Sequence, residues 1–269
     1  MEPVDANNLP WPAKLEPTLR AVDVGIARTL PLLEDRDEVR EVEALNLAAI
    51  AAARHTIYLE NQYLAARRLV DALAARLKED DGPQIVIVLP RRGNNRLERE
   101  TMDGARHRLI QVLWAADEHH RLGVYYPVTD GGAPIYVHSK VMIVDDRLLR
   151  IGSSNMNNRS MGFDSECDVA IEADPDDPAH GELRREITGV RDELVSEHLG
   201  VPVDELARYE SLLRAVEELR GDGKTLEPFT QDTVAGEASP LAENDLMDPD
   251  HVPRSLTRSV QRFISGLRR

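Results

Sequence analysis

The chain has 269 residues, 42% hydrophobic and 30% charged, which suffices for one large domain or two modest ones around a sizeable core. Its net charge of −15 disfavours a general grip on a polyanion, so nucleic acid is not an expected partner. No apolar run approaches the roughly 20 residues a bilayer span needs, the first residues lack a basic-then-apolar leader, and one cysteine, Cys167, cannot form an internal disulfide. The expected location is therefore cytoplasmic.

In chain order, residues 38–55 place Val39, Val42, Leu45, Leu47 and Ile50 at three- and four-residue spacing, which predicts a helix. Residues 56–64 begin as a β-rich stretch and end in the polar run Glu60-Asn61-Gln62. A second amphipathic helix is expected over 68–80. The nearly continuous apolar run 84–90, stopped by Pro90, reads as a strand buried on both faces. Residues 95–120 read as a long helix and 122–128 as the next buried strand. Then "PIYVHS", "KVMIVDD" and "RLLRIGSS" predict two or three strands with a tight turn at Asp145-Asp146, and 167–173 one more. This alternation implies an α/β fold with a mixed central β-sheet flanked by helices.

The expected domain organisation is an N-terminal extension (1–19), an α/β domain (20–174), an acidic helical extension (175–220), a linker or irregular segment (221–252) and a basic amphipathic helix (253–269). That last helix would dock its apolar stripe (Leu256, Val260, Phe263, Ile264, Leu267) on protein, or lie on an anionic membrane surface. Cys167 and Trp114 are expected to be core residues. Six arginines between Arg91 and Arg108 are offset by Glu98, Glu100 and Asp103, and read as a solvated helix face rather than a rim for phosphate head groups.

Chemistry concentrates in residues 137–166. His138, Lys140 and Asp145 stand as H-x-K-x-x-x-x-D, followed by Gly152, Ser153 and Asn155 as G-S-x-N. An imidazole can attack phosphorus, while an ammonium two residues on, projecting from the same face of a strand, neutralises a non-bridging oxygen. Ser153 and Asn155 can add hydrogen bonds to the phosphate, and Glu166 can fix the tautomer that leaves the His138 Nε2 free. No cluster of carboxylates or histidines suggests a metal site, so no cofactor is expected and the lysine would supply the positive charge.

These residues resemble the HKD motif of the phospholipase D superfamily, most closely the second motif of its two-motif, lipid-acting members. Residues 28–31, 38–64, 85–90 and 152–166 extend the likeness to the C-terminal catalytic half of such enzymes, over roughly residues 20–173. The resemblance implies that His138 forms a phosphohistidine or acts as acid/base, that Lys140, Ser153 and Asn155 hold the phosphate, and that Glu166 orients the histidine. Asp145 and Gly152 would be structural members of the motif, and Glu60, Asn61 and Gln62 would end a strand beside the pocket.

The family's reaction uses two histidines. This sequence has eight, and only His138 is followed two residues later by lysine. Three explanations are open: a homodimer with two copies of His138 across one pocket, a second HKD-bearing half elsewhere, or a non-catalytic phosphate- or lipid-binding relic. The resemblance implies a phospholipid as substrate, and hydrolysis or cardiolipin-synthase-like transfer as the reaction.

Overall fold

In a computed structural model, residues 14–33, 36–93, 103–174 and 176–234 are described. Two apolar, β-branched runs form the centre: β3 (Thr56–Glu60) and β4 (Gln84–Val88) pair in parallel, with Ile57 opposite Ile85 and Leu59 opposite Ile87. β5 (Leu122–Val128) continues the parallel block, while β6 (Val141–Val144) lies antiparallel to β3. With β1 (Gly25–Leu30), β2 (Val39–Arg40), β7 (Leu148–Gly152), β8 (Glu166–Glu172) and β9 (Thr225–Pro228), they make a mixed sheet in the order β2-β1-β8-β7-β6-β3-β4-β5-β9.

Because successive side chains alternate across a strand, the sheet carries a core on each face. Ile57, Leu59, Ile85 and Ile87 pack with α1 (Glu41–Ala52), α2 (Arg67–Leu77) and α3 (Gly104–Ala116). Tyr58, Val86 and Val88 face the other way, toward α5 (Gly181–Leu199), α6 (Val203–Leu206) and α7 (Leu212–Leu219). Each fully buried Leu or Ile contributes roughly 1.5–3 kcal/mol relative to exposure. The short α4 (Asn158–Gly162) begins at Asn157, whose Oδ1 accepts from the Ser160 amide at 2.9 Å, an ordinary N-cap. α5 ends at Gly200, whose φ of +69° closes the helix in a left-handed turn. Asp145 and Asp146, with φ of +52° and +53°, are the central residues of the turn that joins β6 to β7, closed by the Arg147 amide donating to the Val144 carbonyl at 3.0 Å.

The α/β architecture with helices on both faces is as the sequence predicts, but several local expectations need correction. Of the segment 221–252, expected to be linker or irregular, Thr225–Pro228 is an edge strand on β5, followed by α8 (Gln231–Val234), while residues 235–252 lie outside the described residues. Since β9 occupies that edge of β5, "PIYVHS" does not extend the sheet and makes only the isolated bridge Val128–Pro134. Segment 175–220 is helical, and its Ile187, Val195 and Leu199 belong to the core on the second face of the sheet.

Cys167 is exposed rather than core. It alternates with Val169 on a face left open toward β1, where Ile26, Val169 and Ile151 stand in register and all exposed. Trp114 is partly buried against the core. Within the basic cluster, Arg106 is buried, not solvated. The amphipathic segment 253–269 lies outside the described residues.

Candidate active site

The carboxyl end of β3 meets the amino end of β6 through the Glu60–Val141 pair, and the Gly152 amide at the end of β7 reaches the Lys140 carbonyl at 3.2 Å. Asp168, near the start of β8, pairs with Gly152. One edge of the sheet therefore gathers residues 60–62, 138–140, 152–155 and 166. Ligands in α/β sheets commonly bind outside the carboxyl ends of parallel strands.

Residues 138–140 precede β6 rather than lying in a strand, and burial increases along them: His138 is exposed, Ser139 half-buried and Lys140 only 8% exposed. The Lys140 ammonium donates to the His138 carbonyl at 2.7 Å and to Gln62 Oε1 at 3.2 Å. Burial lowers its pKa from the usual lysine value; the Glu166 carboxylate opposes that shift and Arg150 adds to it. Gln62 also donates to the Tyr136 hydroxyl at 2.8 Å, and the Tyr136 ring stacks beside His138 with centroids 6.5 Å apart and planes 23° apart. Sequence patterning missed Tyr136, although an aromatic two residues before the histidine is a visible feature of "YVH".

Ser139 turns the other way. Its hydroxyl donates to Glu60 Oε2 at 2.5 Å, and Glu60 Oε1 accepts from the Tyr58 hydroxyl at 2.5 Å and lies 3.0 Å from His198 Nε2. Burial pushes the Glu60 carboxyl upward, but His198, Ser139 and Tyr58 outweigh it and hold the pKa below the ordinary range. Glu60 thus sits behind the motif segment, while Gln62 stands on the pocket side. Asn61 is fully buried and accepts from the Met156 amide at 3.0 Å, tying β3 to the loop after β7.

Asp145 accepts from the backbone amides of Arg54, His55 and Thr56 at 2.8, 2.7 and 2.9 Å, pinning the hairpin to the start of β3. Gly152 is dictated by close approach: a Cβ there would fall 1.8 Å from Asp168 Oδ1. Asp168 and Arg150, 0% and 1% exposed, form a buried ion pair that also binds Ser154. Neither was singled out by the sequence; an arginine in the apolar strand "RLLRIG" was the available signal.

Glu166 was expected at His138, but its hydrogen bonds run from the Ser153 hydroxyl at 2.5 Å and the Ser160 hydroxyl at 2.6 Å. Ser153 and Asn155 follow the end of β7 and are not in a strand; Asn155 bonds through its amide to Ser160 Oγ at 3.0 Å, and its Oδ1 is buried without a hydrogen-bond partner among the described residues. Among those residues, no group of three His, Cys, Asp or Glu is placed to hold a metal, and no helix is long and apolar enough to cross a membrane.

Residues 47–189, more than half of the chain, match the family model described as "Cardiolipin synthase, PLD-like domain". A phospholipase D from Phytophthora infestans is 26% identical over an alignment covering 62% of this chain. Phospholipase D alpha 1 from Spuriopimpinella brachycarpa is 46% identical over 80 residues, 29% of this chain. The matches span only 12% and 10% of those two relatives. Among solved structures, the phospholipase D family member Nuc from Salmonella typhimurium is 20% identical with a TM-score of 0.43, covering 62% of this chain and 92% of that one, too loose a likeness to bear on the reaction.

Proposed function

The chain belongs to the phospholipase D superfamily, and on that premise we propose that it is a phosphodiesterase acting on a phospholipid through a phosphohistidine at His138. The observation that carries this reading is the pairing of an exposed imidazole with a buried ammonium two residues away, the latter aimed by Gln62 Oε1 and the His138 carbonyl. His138 Nε2 attacks phosphorus and the alcohol departs with the bonding electrons and a proton. Water, or a second alcohol, then takes the phosphoryl group from the histidine. Lys140 neutralises the non-bridging oxygen as charge shifts onto it. Gln62 holds that ammonium, and the Glu166 carboxylate supports its charge.

A leaving alkoxide needs a proton, and His138 cannot be nucleophile and acid in the same step. A second histidine must come from another HKD-bearing segment, either a twin of this chain in a homodimer or a separate half. The family model's description favours transfer to an alcohol as the second reading, with the same covalent intermediate and a different acceptor. A peripheral contact with the lipid surface, in the cytoplasm, accompanies both.

The test is turnover of short-chain phosphatidylcholine by the purified chain in EDTA, against the His138→Ala variant. Phosphatidic acid from the wild type and none from the variant is expected; undiminished turnover in the variant would remove His138 from the reaction.

A further inference from the structure

Beside the motif lies a groove of about 240 Å³, with Pro90 to Gly93 on one wall and Pro134 to Tyr136 on the other. It shares Tyr136 with the phosphate site, since the Tyr136 ring stacks by His138 and its hydroxyl accepts from the Gln62 that aims Lys140. The groove's other wall carries two consecutive guanidiniums, Arg91 and Arg92, in a chain whose net charge is −15.

The loop bearing them is fixed from beneath. Arg106 and Asp103, 2% and 1% exposed, pair at 3.0 Å. Arg106 donates to the carbonyls of Pro90 and Arg91 at 3.0 and 3.2 Å, and the Gly93 amide donates to both Asp103 oxygens at 3.0 and 3.1 Å. Arg91 lies over the Tyr126 ring, 5.4 Å from its centroid, and its buried Nη1 has no hydrogen-bond partner among the described residues. A buried donor without an acceptor costs on the order of 1–3 kcal/mol, a cost removed when the guanidinium turns that donor to an anion in the groove. Burial, then Arg106 and Arg91, push the His107 imidazole beneath the loop down to about 3.

We propose that Arg91 and Arg92 form a second anion subsite, which receives a negatively charged group on the arm of the diester beyond the reacting phosphate. The substrate class is then a phospholipid whose head group carries a further phosphate monoester or carboxylate, in preference to a cationic head group such as choline. This rests on the phosphodiester reading for its second anchor, at Lys140. The Lys140 ammonium and the backbone of the loop bearing Arg91 and Arg92 are both held by hydrogen bonds, which lowers the entropic cost of meeting two anionic groups on one ligand.

The test is calorimetric binding of glycerophosphoglycerol and of its terminal phosphate ester, in a His138→Ala background so that binding is read without turnover. The terminal phosphate should tighten binding by about tenfold or more. The double variant Arg91→Ala/Arg92→Ala should erase that gain, and the exposed single variant Arg92→Ala, which spares the Arg91–Tyr126 contact, should lose part of it. Equal affinity for the two ligands, or a gain that survives the double variant, would overturn the subsite. Inorganic phosphate binding as tightly as the joined ligand would overturn its assignment to the substrate's arm. If the gain appears as described while the wild type turns over no phosphodiester, the subsite stands and only the phosphodiesterase reading falls.

Discussion

Lys140 is held by the residue whose chemistry it assists: its ammonium rests on the His138 carbonyl while the imidazole stays in solvent. Lys140→Met, which keeps the bulk and removes the charge, is expected to lower kcat by about a hundredfold or more without a comparable loss of thermal stability. Steady-state rates and a melting curve check this together. Because burial, reinforced by Arg150, sets the folded Lys140 pKa below 10.5, the ammonium is present below that folded value and lost as pH rises through it. The alkaline limb of the activity profile should therefore fall with a midpoint under 10.5. Glu166→Gln removes the opposing upward influence and should move that midpoint lower still, which a pH–rate series on the two proteins reads directly. At this scale the motif letters were legible, because H-x-K needs only local spacing. The work of Asp145 was not: its three amide partners lie some 90 positions away in the chain, a contact no local pattern carries.

The strands β3, β6, β7 and β8 meet at the site through polar contacts that cross between them, and those contacts set what each element tolerates. At the β7–β8 junction, Gly152→Ala would drive a methyl into the Asp168 carboxylate and break the buried pair with Arg150. The expected loss is about 3 kcal/mol or more, measured as a shift in urea midpoint. At the β3–α5 junction, Glu60 carries a folded pKa below its usual value, so the native state binds fewer protons than the unfolded chain across that window. Its contribution is fully present above the unfolded value near 4.5 and is lost as pH falls through the folded one. Glu60→Gln should flatten the stability–pH slope in that acid range, seen in melts taken from pH 6 down to 3. Element types were legible wherever periodicity was strong, as in the apolar runs of β3 and β4 or the amphipathic α2. The short β9 was not, since "TLEP" is a strand only by pairing with β5 nearly 100 residues earlier.

Across the whole molecule, the strand ends bring every motif residue but Asp145 together on one side and leave His138 exposed, without a second H-x-K histidine anywhere in the sequence. The mixed sheet was readable from the alternation of helix and strand patterns, whereas the placing of Glu60 to Gln62 at a strand end beside the site came only from the family resemblance. The side of the site to which each residue contributes was not readable, because Glu60 and Gln62 share a strand end yet serve opposite faces. A phosphodiester with a p-nitrophenol leaving group isolates what His138 does by itself, since nitrophenolate departs without a proton. The measurement is the pre-steady-state release of nitrophenolate by the chain, with the adduct located by mass spectrometry after an alkaline quench. A burst stoichiometric with protein and a phosphoryl adduct on His138, both absent from His138→Ala, is the predicted result. An equal burst from that variant, an adduct elsewhere, or none from the folded chain would contradict His138 as the nucleophile.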